Sequence, residues 1–438
     1  MKILLNNQFY SLLAFGSQWG LAFIAFMILI RSLSPEDLGI WILYMTLMTI
    51  AEQARNGLIQ NGYITFLKSE KYVTNVLQAS ALLLSLGSGV LISIIMLIVA
   101  LILAWITQAP DLVYISLIYP IYVVGSSILR VWESHCIGIE SFLKIAITKF
   151  TYGVTFIVAI LIAQRFAPLH LQWLPFFQVI ALIISLSLAV CLLTISFKLK
   201  EYSPICIRNL IDYGRYVLGT NISSILINKV DIFILGFLLG PVGVAFYNAA
   251  SKLINVVEIP LTSISQVVFP QISQVYQNNC RSDTGQLIEH STTIILTVML
   301  PICFLLGFFA ETTLVFVAGE EYRSSALILQ ILAYSAIIKS IGRIFGISLD
   351  AIGRPQRNYR LILASIAINV SLNFILFPFF GITGIALATF LSLSFGSTLA
   401  YYYLKKDIPI QFVNILFSVL TFNLFFNKTK QYETSLRT

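Results

Sequence analysis

Charge is scarce in this chain. Of its 438 residues only 11% are Asp, Glu, Lys or Arg, whereas 58% are apolar or aromatic and the mean hydropathy is +0.89. Soluble domains carry about a quarter charged residues, so a globule of this size could not clothe its surface in water-binding groups. A water-soluble enzyme, a disordered chain and a nucleic-acid binder are excluded at this step. Histidine is scarcer still: His135, His170 and His290 are the only three, at the ends of apolar runs or in loops. Five cysteines (Cys136, Cys191, Cys206, Cys280, Cys303) lie far apart with no CxxC spacing, and read as small apolar side chains rather than as a metal site or disulfide frame. There is no GxxxxGK[ST] loop to hold ATP phosphates and no nucleophile elbow. No motif calls for a metal or a cofactor.

What the chain has in quantity is long apolar runs. About 20 mostly apolar residues cross a bilayer as a helix, and twelve stretches qualify, near 9–30, 40–66, 77–104, 112–132, 146–164, 172–196, 213–238, 243–269, 291–310, 324–346, 360–379 and 383–404. The first, with 22 uncharged residues from Phe9 to Ile30, is too long for a typical signal-peptide core and reads as a span. The net charge of +8 gains meaning from its distribution. Alternate connections hold Lys2, Lys68 and Lys71, Lys144 and Lys149, Lys198, Lys200 and Arg208, Arg281, Arg354, Arg357 and Arg360, and Lys405 and Lys406. The opposite connections are short and mixed, with Arg31 beside Glu36 and Asp37, then Asp111, Arg165, and Glu311, Glu320 and Glu321 beside Arg323. The basic side is expected to face the cytoplasm, with both termini there. The tail from Ile408 to Asn427 has no charge, but Gln411, Asn414, Ser418 and Thr421 make one polar stripe at helical spacing, which favours a helix lying in the cytoplasmic interface over a thirteenth span.

A repeat at half the chain length organises these spans. Leu33-Ser34-Pro35-Glu36-Asp37-Leu38-Gly39, leading to Tyr44, has a counterpart in Leu239-Gly240-Pro241-Val242-Gly243, leading to Tyr247. Glu52 then falls near the place of Glu258, and Ile128-Leu129-Arg130…Gly138 matches Ile341-Gly342-Arg343…Gly353, at offsets of 204–215 residues. The expected fold is an all-α membrane protein of about twelve transmembrane helices in two pseudo-symmetric six-helix bundles. The expected domains are residues 1–200, residues 201–406, and a cytoplasmic tail at 407–438 with an interfacial helix. Six is an even number of spans, so the halves share one membrane orientation, and transporters built this way carry their cargo site between the halves.

Ionisable side chains inside spans cost about 2.5–3.5 kcal/mol each on insertion scales unless they face water or a partner. Here they concentrate in four spans: Glu52 and Arg55, then Lys229 and Asp231, then Lys252 and Glu258, then Lys339 and Arg343. Structural readings exist for some. Glu52 and Arg55, at i and i+3, can pair with each other, and Arg343 can reach headgroups. Lys339 and Arg343 are like charges at i and i+4, which repel unless an anion sits opposite. Lys229 and Asp231, two apart, point to different sides. Five cations against three anions favour an anionic cargo. The expected substrate-binding residues are therefore Arg55, Lys229, Lys252, Lys339 and Arg343, with Glu52, Asp231 and Glu258 as candidates to take a coupling proton or sodium ion.

Several segments resemble the Wzx-type polysaccharide-biosynthesis flippases. They are Leu33 to Gly39, Asp231-Ile232-Phe233-Ile234-Leu235-Gly236, Tyr247-Asn248-Ala249-Ala250-Ser251-Lys252-Leu253, Phe269-Pro270, Gly319-Glu320-Glu321-Tyr322, Gly353-Arg354-Pro355, Asn369-Val370-Ser371-Leu372-Asn373 and Gly381 to Thr389. The resemblance runs over spans 1 to 12 and not over the tail. It implies the multidrug/oligosaccharidyl-lipid/polysaccharide exporter fold, two six-helix bundles with a cationic cleft. It also implies an undecaprenyl-diphosphate-linked oligosaccharide as cargo, moved by ion-coupled alternating access across the bacterial inner membrane for O-antigen, capsule or exopolysaccharide assembly. A polymerase and ligase of the same pathway would be partners. Asp231 and Lys252 match the family pattern; Arg55, Lys229, Lys339 and Arg343 rest on the charge argument alone. A drug or cation antiporter of the same fold would want an acidic cavity. A membrane glycosyltransferase would want a large catalytic loop, and the longest here is about 20 residues.

Overall fold

In a computed structural model the protein is described over residues 19–192, 198–277 and 281–421. The first half of span 1, Cys280 and the tail beyond residue 421, with Lys428, Lys430 and Arg437, lie outside the described residues. Every regular element among the described residues is helical. In chain order they are α1 (Trp19–Ser32), α2 (Pro35–Lys68), α3 (Thr74–Thr107), α4 (Asp111–Ser116), α5 (Tyr119–Gly138), α6 (Phe142–Phe166), α7 (Leu174–Leu192), α8 (Pro204–Ile254) and α9 (Glu258–Gln277). After these come α10 (Arg281–Phe308), α11 (Ala310–Ala318), α12 (Ala326–Ala351), α13 (Pro355–Phe380), α14 (Ile382–Asp407) and α15 (Phe412–Thr421).

Nine of the described helical stretches are long and apolar enough to cross a membrane. With α1, α2 and a division of α8 they give the roughly twelve-helix, all-α membrane protein that the apolar runs predict. The division is local and sharp: Gly240 adopts φ 67° and ψ −166°, and Pro241 follows, so α8 is two helical arms meeting at a kink. A left-handed φ is open to glycine, and proline removes the next hydrogen bond. The other copy of the repeat makes the equivalent break by capping. Ser34 accepts the backbone N–H of Asp37 at 3.1 Å, Pro35 sits in the first turn, and Glu36 and Asp37 meet the positive end of the helix.

The chain forms two compact units, residues 1–245 and 246–438. In the first, the basic end of α2 contributes Ile59, Tyr63 and Phe66 to a core with Leu77, Ala81 and Leu82 of α3, Val131 of α5, and Cys206 and Leu210 of α8. A second core joins Trp132 and Cys136 of α5 to Ile145 of α6 and Ala189 of α7. Two close approaches bind α2 to the first arm of α8. A Cβ on Gly39 would lie 1.8 Å from the Pro241 carbonyl oxygen, and one on Gly214 would lie 2.3 Å from that of Leu58, so neither position has room for a side chain. The first contact brings the two copies of the repeated motif together, backbone against backbone. Away from these seams α3 turns Val90, Leu91, Ile94, Ile98, Leu101 and Ile102 outward, with Trp105 near its end 79% exposed. That is the surface of a helix solvated by lipid with an interfacial aromatic anchor.

In the second unit α9, α10, α12, α13 and α14 share a core around Ile272, Ile295, Met299, Phe345, Leu349 and Leu404. Helix α15 joins it through the fully buried Ile415. Two members of the polar stripe do specific work there: Glu289 of α10 accepts the backbone N–H of Gln411 at 2.7 Å and the Asn414 amide at 3.2 Å. The carboxylate thus caps α15 in trans. Replacing Glu289 by Ala is expected to cost about 1–2 kcal/mol of local docking, read as faster amide hydrogen exchange across residues 411–421 with the rest of the unit unchanged.

Candidate functional site

The ionisable residues of the spans sort into three kinds of environment. In the first unit Arg55 is completely buried. Its Nη1 donates to Glu52 Oε1 at 2.5 Å and to Ser126 Oγ at 2.9 Å, and its Nη2 donates to Ser127 Oγ at 2.5 Å, Ser85 Oγ at 3.1 Å and the Val123 carbonyl at 3.5 Å. The α-helical i, i+3 spacing aims Glu52 and Arg55 at each other, while Gly89 on α3 leaves room chiefly for Val123 of α5 and also for the guanidinium: a Cβ there would sit 2.4 Å from Val123 Cγ1 and 3.3 Å from Arg55 Nε. Glu52 is equally occupied. It also accepts the Tyr119 hydroxyl at 2.7 Å and pairs through Oε2 with Arg130 of α5. Tyr122 and Tyr152, hydrogen-bonded to each other, lie within electrostatic range of the same carboxylate. One carboxylate and two guanidiniums are thus closed into a network with four hydroxyls.

This placement departs from the expectation that Arg55 faces cargo. In this conformation its two terminal nitrogens are spent on the protein, and no part of the side chain is accessible. Arg130, by contrast, was not among the expected site residues. The signal for it was in the sequence, because Arg130 is the residue that the repeat aligns with Arg343.

The second unit holds a related but more open pair. Lys339 of α12 is bonded to Glu258, each side chain keeping 37% of its surface accessible. Glu258 stands at the first turn of α9, where a one-turn 3-10 segment, Asn255–Val257, interrupts the helix after α8. Arg343, one turn beyond Lys339, is exposed, and no ion pair or hydrogen bond engages it among the described residues. In both halves of the sequence repeat a carboxylate from the second span therefore meets a cation from the fourth.

Lys229 is the third case. It lies in the first arm of α8, partly buried, with no ion pair or hydrogen bond among the described residues. Counting back from the Gly240 kink at 1.5 Å per residue puts it about 16 Å along the helix. Asp231 in the same arm and Lys252 in the second arm are both partly buried. No group of three or more His, Cys, Asp or Glu positioned to hold a metal ion occurs among the described residues.

Comparison with known proteins places this geometry. A model of the polysaccharide biosynthesis protein family matches residues 28–327, which is more than half of the chain. The chain belongs to that family. The probable low-salt glycan biosynthesis flippase Agl15 of Haloferax volcanii is 30% identical over 218 residues, 50% of this chain and 46% of that one. The probable flippase AglR of the same organism is 24% identical over 204 residues, 46% and 42% of the two chains. The capsular polysaccharide biosynthesis protein CapF of Staphylococcus aureus is 27% identical over 146 residues, 33% and 37%. The matched region spans about half the length of the first of these relatives, or less. Among solved structures, an inward-facing multidrug resistance MATE family transporter of the MOP superfamily superposes with a TM-score of 0.74 at 14% identity, over 90% of this chain and 94% of that one. The lipid II flippase MurJ in an inward closed conformation gives 0.73 at 15%, over 94% and 90%. At such identities the likeness is one of fold, and a fold by itself does not fix the cargo.

Proposed function

We propose that this member of the family is a flippase for lipid-linked oligosaccharides, moving a polyprenyl-diphosphate-linked repeat unit from the cytoplasmic to the outer leaflet by alternating access. The cargo joins a hydrocarbon tail to a doubly charged diphosphate and a polar glycan, so the protein must offer positive charge at membrane depth. The observation that carries the reading is Lys229, partly buried in an apolar helix with no ion pair among the described residues; with the Gly240 kink taken as the membrane edge, it stands near mid-membrane. Exposed Arg343 adds a second cation of this kind, and Lys252 and Lys339 complete the candidate set. A drug or cation exporter of the same fold would need the opposite balance. In the finer form of the proposal the carrier is undecaprenyl diphosphate and the glycan serves O-antigen, capsule or exopolysaccharide assembly. The basic helix ends then face the cytoplasm of a bacterium whose inner membrane holds the protein. Asp231 and Glu258 are the carboxylates proposed to take a coupling proton or sodium ion. Glu52, already engaged by Arg55, Arg130 and Tyr119, could exchange an ion only when that network opens. A polymerase and a ligase acting on the flipped glycan are proposed as pathway partners.

Reconstitution into liposomes with a fluorescent polyprenyl-diphosphate sugar tests this directly. The wild-type protein is expected to make inner-leaflet label accessible to an external quencher. Lys229→Ala is expected to slow that rate about tenfold or more, the effect of losing about 1.4 kcal/mol or more of charge stabilisation at low dielectric, while the melting temperature stays constant. Full transport by Lys229→Ala, or transport of a cationic dye and not of the lipid, would reject the reading.

A further inference from the structure

The two halves of the sequence repeat share one motif, a second-span carboxylate on a fourth-span cation, but bury it differently. Glu52 has three partners, Arg55, Arg130 and Tyr119, and the side chains of Arg55, Arg130 and Glu52 keep only 0%, 14% and 15% of their surface. Among the described residues Glu258 has a single ion-pair partner, Lys339, and both side chains remain 37% accessible. Each site sets two cations against one carboxylate, but the first bonds both of them to it, whereas in the second Arg343 is exposed and unengaged among the described residues. Lys339 and Arg343 stand at i and i+4 on α12, about 6 Å apart at their Cβ atoms, and one carboxylate cannot neutralise both. Glu258 stands where the 3-10 turn Asn255–Val257 joins α8 to α9, with more than twice the accessible surface of Glu52. It can therefore let go of Lys339 at less cost than the enclosed Glu52 can leave its partners.

We infer that Glu258 is an intramolecular stand-in for the cargo: it holds Lys339 while the protein is empty, and a diphosphate displaces it to bridge Lys339 and Arg343. This assignment rests on the flippase reading above and adds to it an exchange at one named contact. The corresponding pair of the first unit, enclosed and multiply bonded, is a fixed brace. The ligand recognised is a diphosphate group, doubly charged and long enough to touch two cations one helical turn apart; a monophosphate or a neutral lipid lacks one or both properties.

Equilibrium binding to the purified full-length protein in detergent tests the exchange, with farnesyl diphosphate as probe and farnesyl monophosphate, farnesol and inorganic diphosphate as comparators. Removing the competing carboxylate in Glu258→Gln is expected to tighten farnesyl diphosphate binding three- to tenfold. Lys339→Gln is expected to weaken it by about tenfold, and the double variant to behave like Lys339→Gln alone. Glu140→Gln, which opens the exposed Lys68–Glu140 pair at 3.2 Å, is expected to change nothing. A purely structural pair would instead lower the melting temperature in both single variants and leave affinity alone. That result, or weaker binding by Glu258→Gln, overturns the exchange. If that result is obtained while the wild type still flips lipid in liposomes, the exchange fails and the flippase reading stands. If the wild type binds no farnesyl diphosphate and flips no lipid, both fall. Equal affinity for inorganic and farnesyl diphosphate, with the same ranking of variants, would assign the contact to a free anion and reject the lipid as its ligand.

Discussion

Arg55→Ala is expected to destabilise the first unit by about 3–5 kcal/mol, the usual cost of removing one partner from a buried ion pair. The guanidinium now bonds three serines and a carbonyl from α3 and α5 in addition to Glu52. Without it those hydroxyls lose their common donor, and a void opens in its place. Arg55→Lys should recover little, because one ammonium lacks the forked geometry needed to meet Glu52, Ser85 and Ser127 together. The denaturation midpoint in detergent and the amount of protein in the membrane are the measurements. If Arg55→Ala kept wild-type stability and lost only flipping, Arg55 would belong to the cargo path after all.

Gly39→Leu should have an effect as large, of a different kind. With a Cβ placed 1.8 Å from the Pro241 carbonyl oxygen, the start of α2 and the kink of α8 must separate, and backbone on both sides leaves no flexible group to yield. Leu38, fully buried beside this contact, is the reporter. In a cysteine-free background, Leu38→Cys is expected to react with a maleimide at least tenfold faster when Gly39 is also replaced, an opening of about 1.4 kcal/mol or more. Flipping should fall in parallel. An unreactive thiol and normal flipping in the double variant would show that the contact is incidental.

Much of this architecture could be read from the chain. Apolar runs of 20 residues or more located the helices, and the Pro35 and Pro241 motifs marked where helices break, because proline, glycine and a capping serine act through local geometry. The start of α8 was less legible. The apolar pattern begins near residue 213, yet the helix begins at Pro204, since Cys206 and Leu210 are fixed by contacts with Tyr63 and Leu77 from distant helices. The same limit applies to the charges. The i, i+3 spacing announced that Glu52 and Arg55 could pair, but Ser85 stands 30 residues from Arg55 and Ser126 and Ser127 stand 71 and 72 away. Only tertiary packing brings them together, and it is they that close the site. For Lys229 the sequence supplied its place along a helix; its partial burial, with no ion pair among the described residues, is set by packing.

The two glycine contacts between α2 and α8 have a geometric corollary. Between Gly39 and Leu58, α2 advances about 28 Å, whereas from Gly214 to Gly240 the facing arm of α8 covers about 39 Å at the same rise per residue. Struts pinned at both ends with unequal lengths cannot lie flush. The surplus of about 11 Å must be taken up within the arm of α8 between the two contacts, the stretch that carries Lys229.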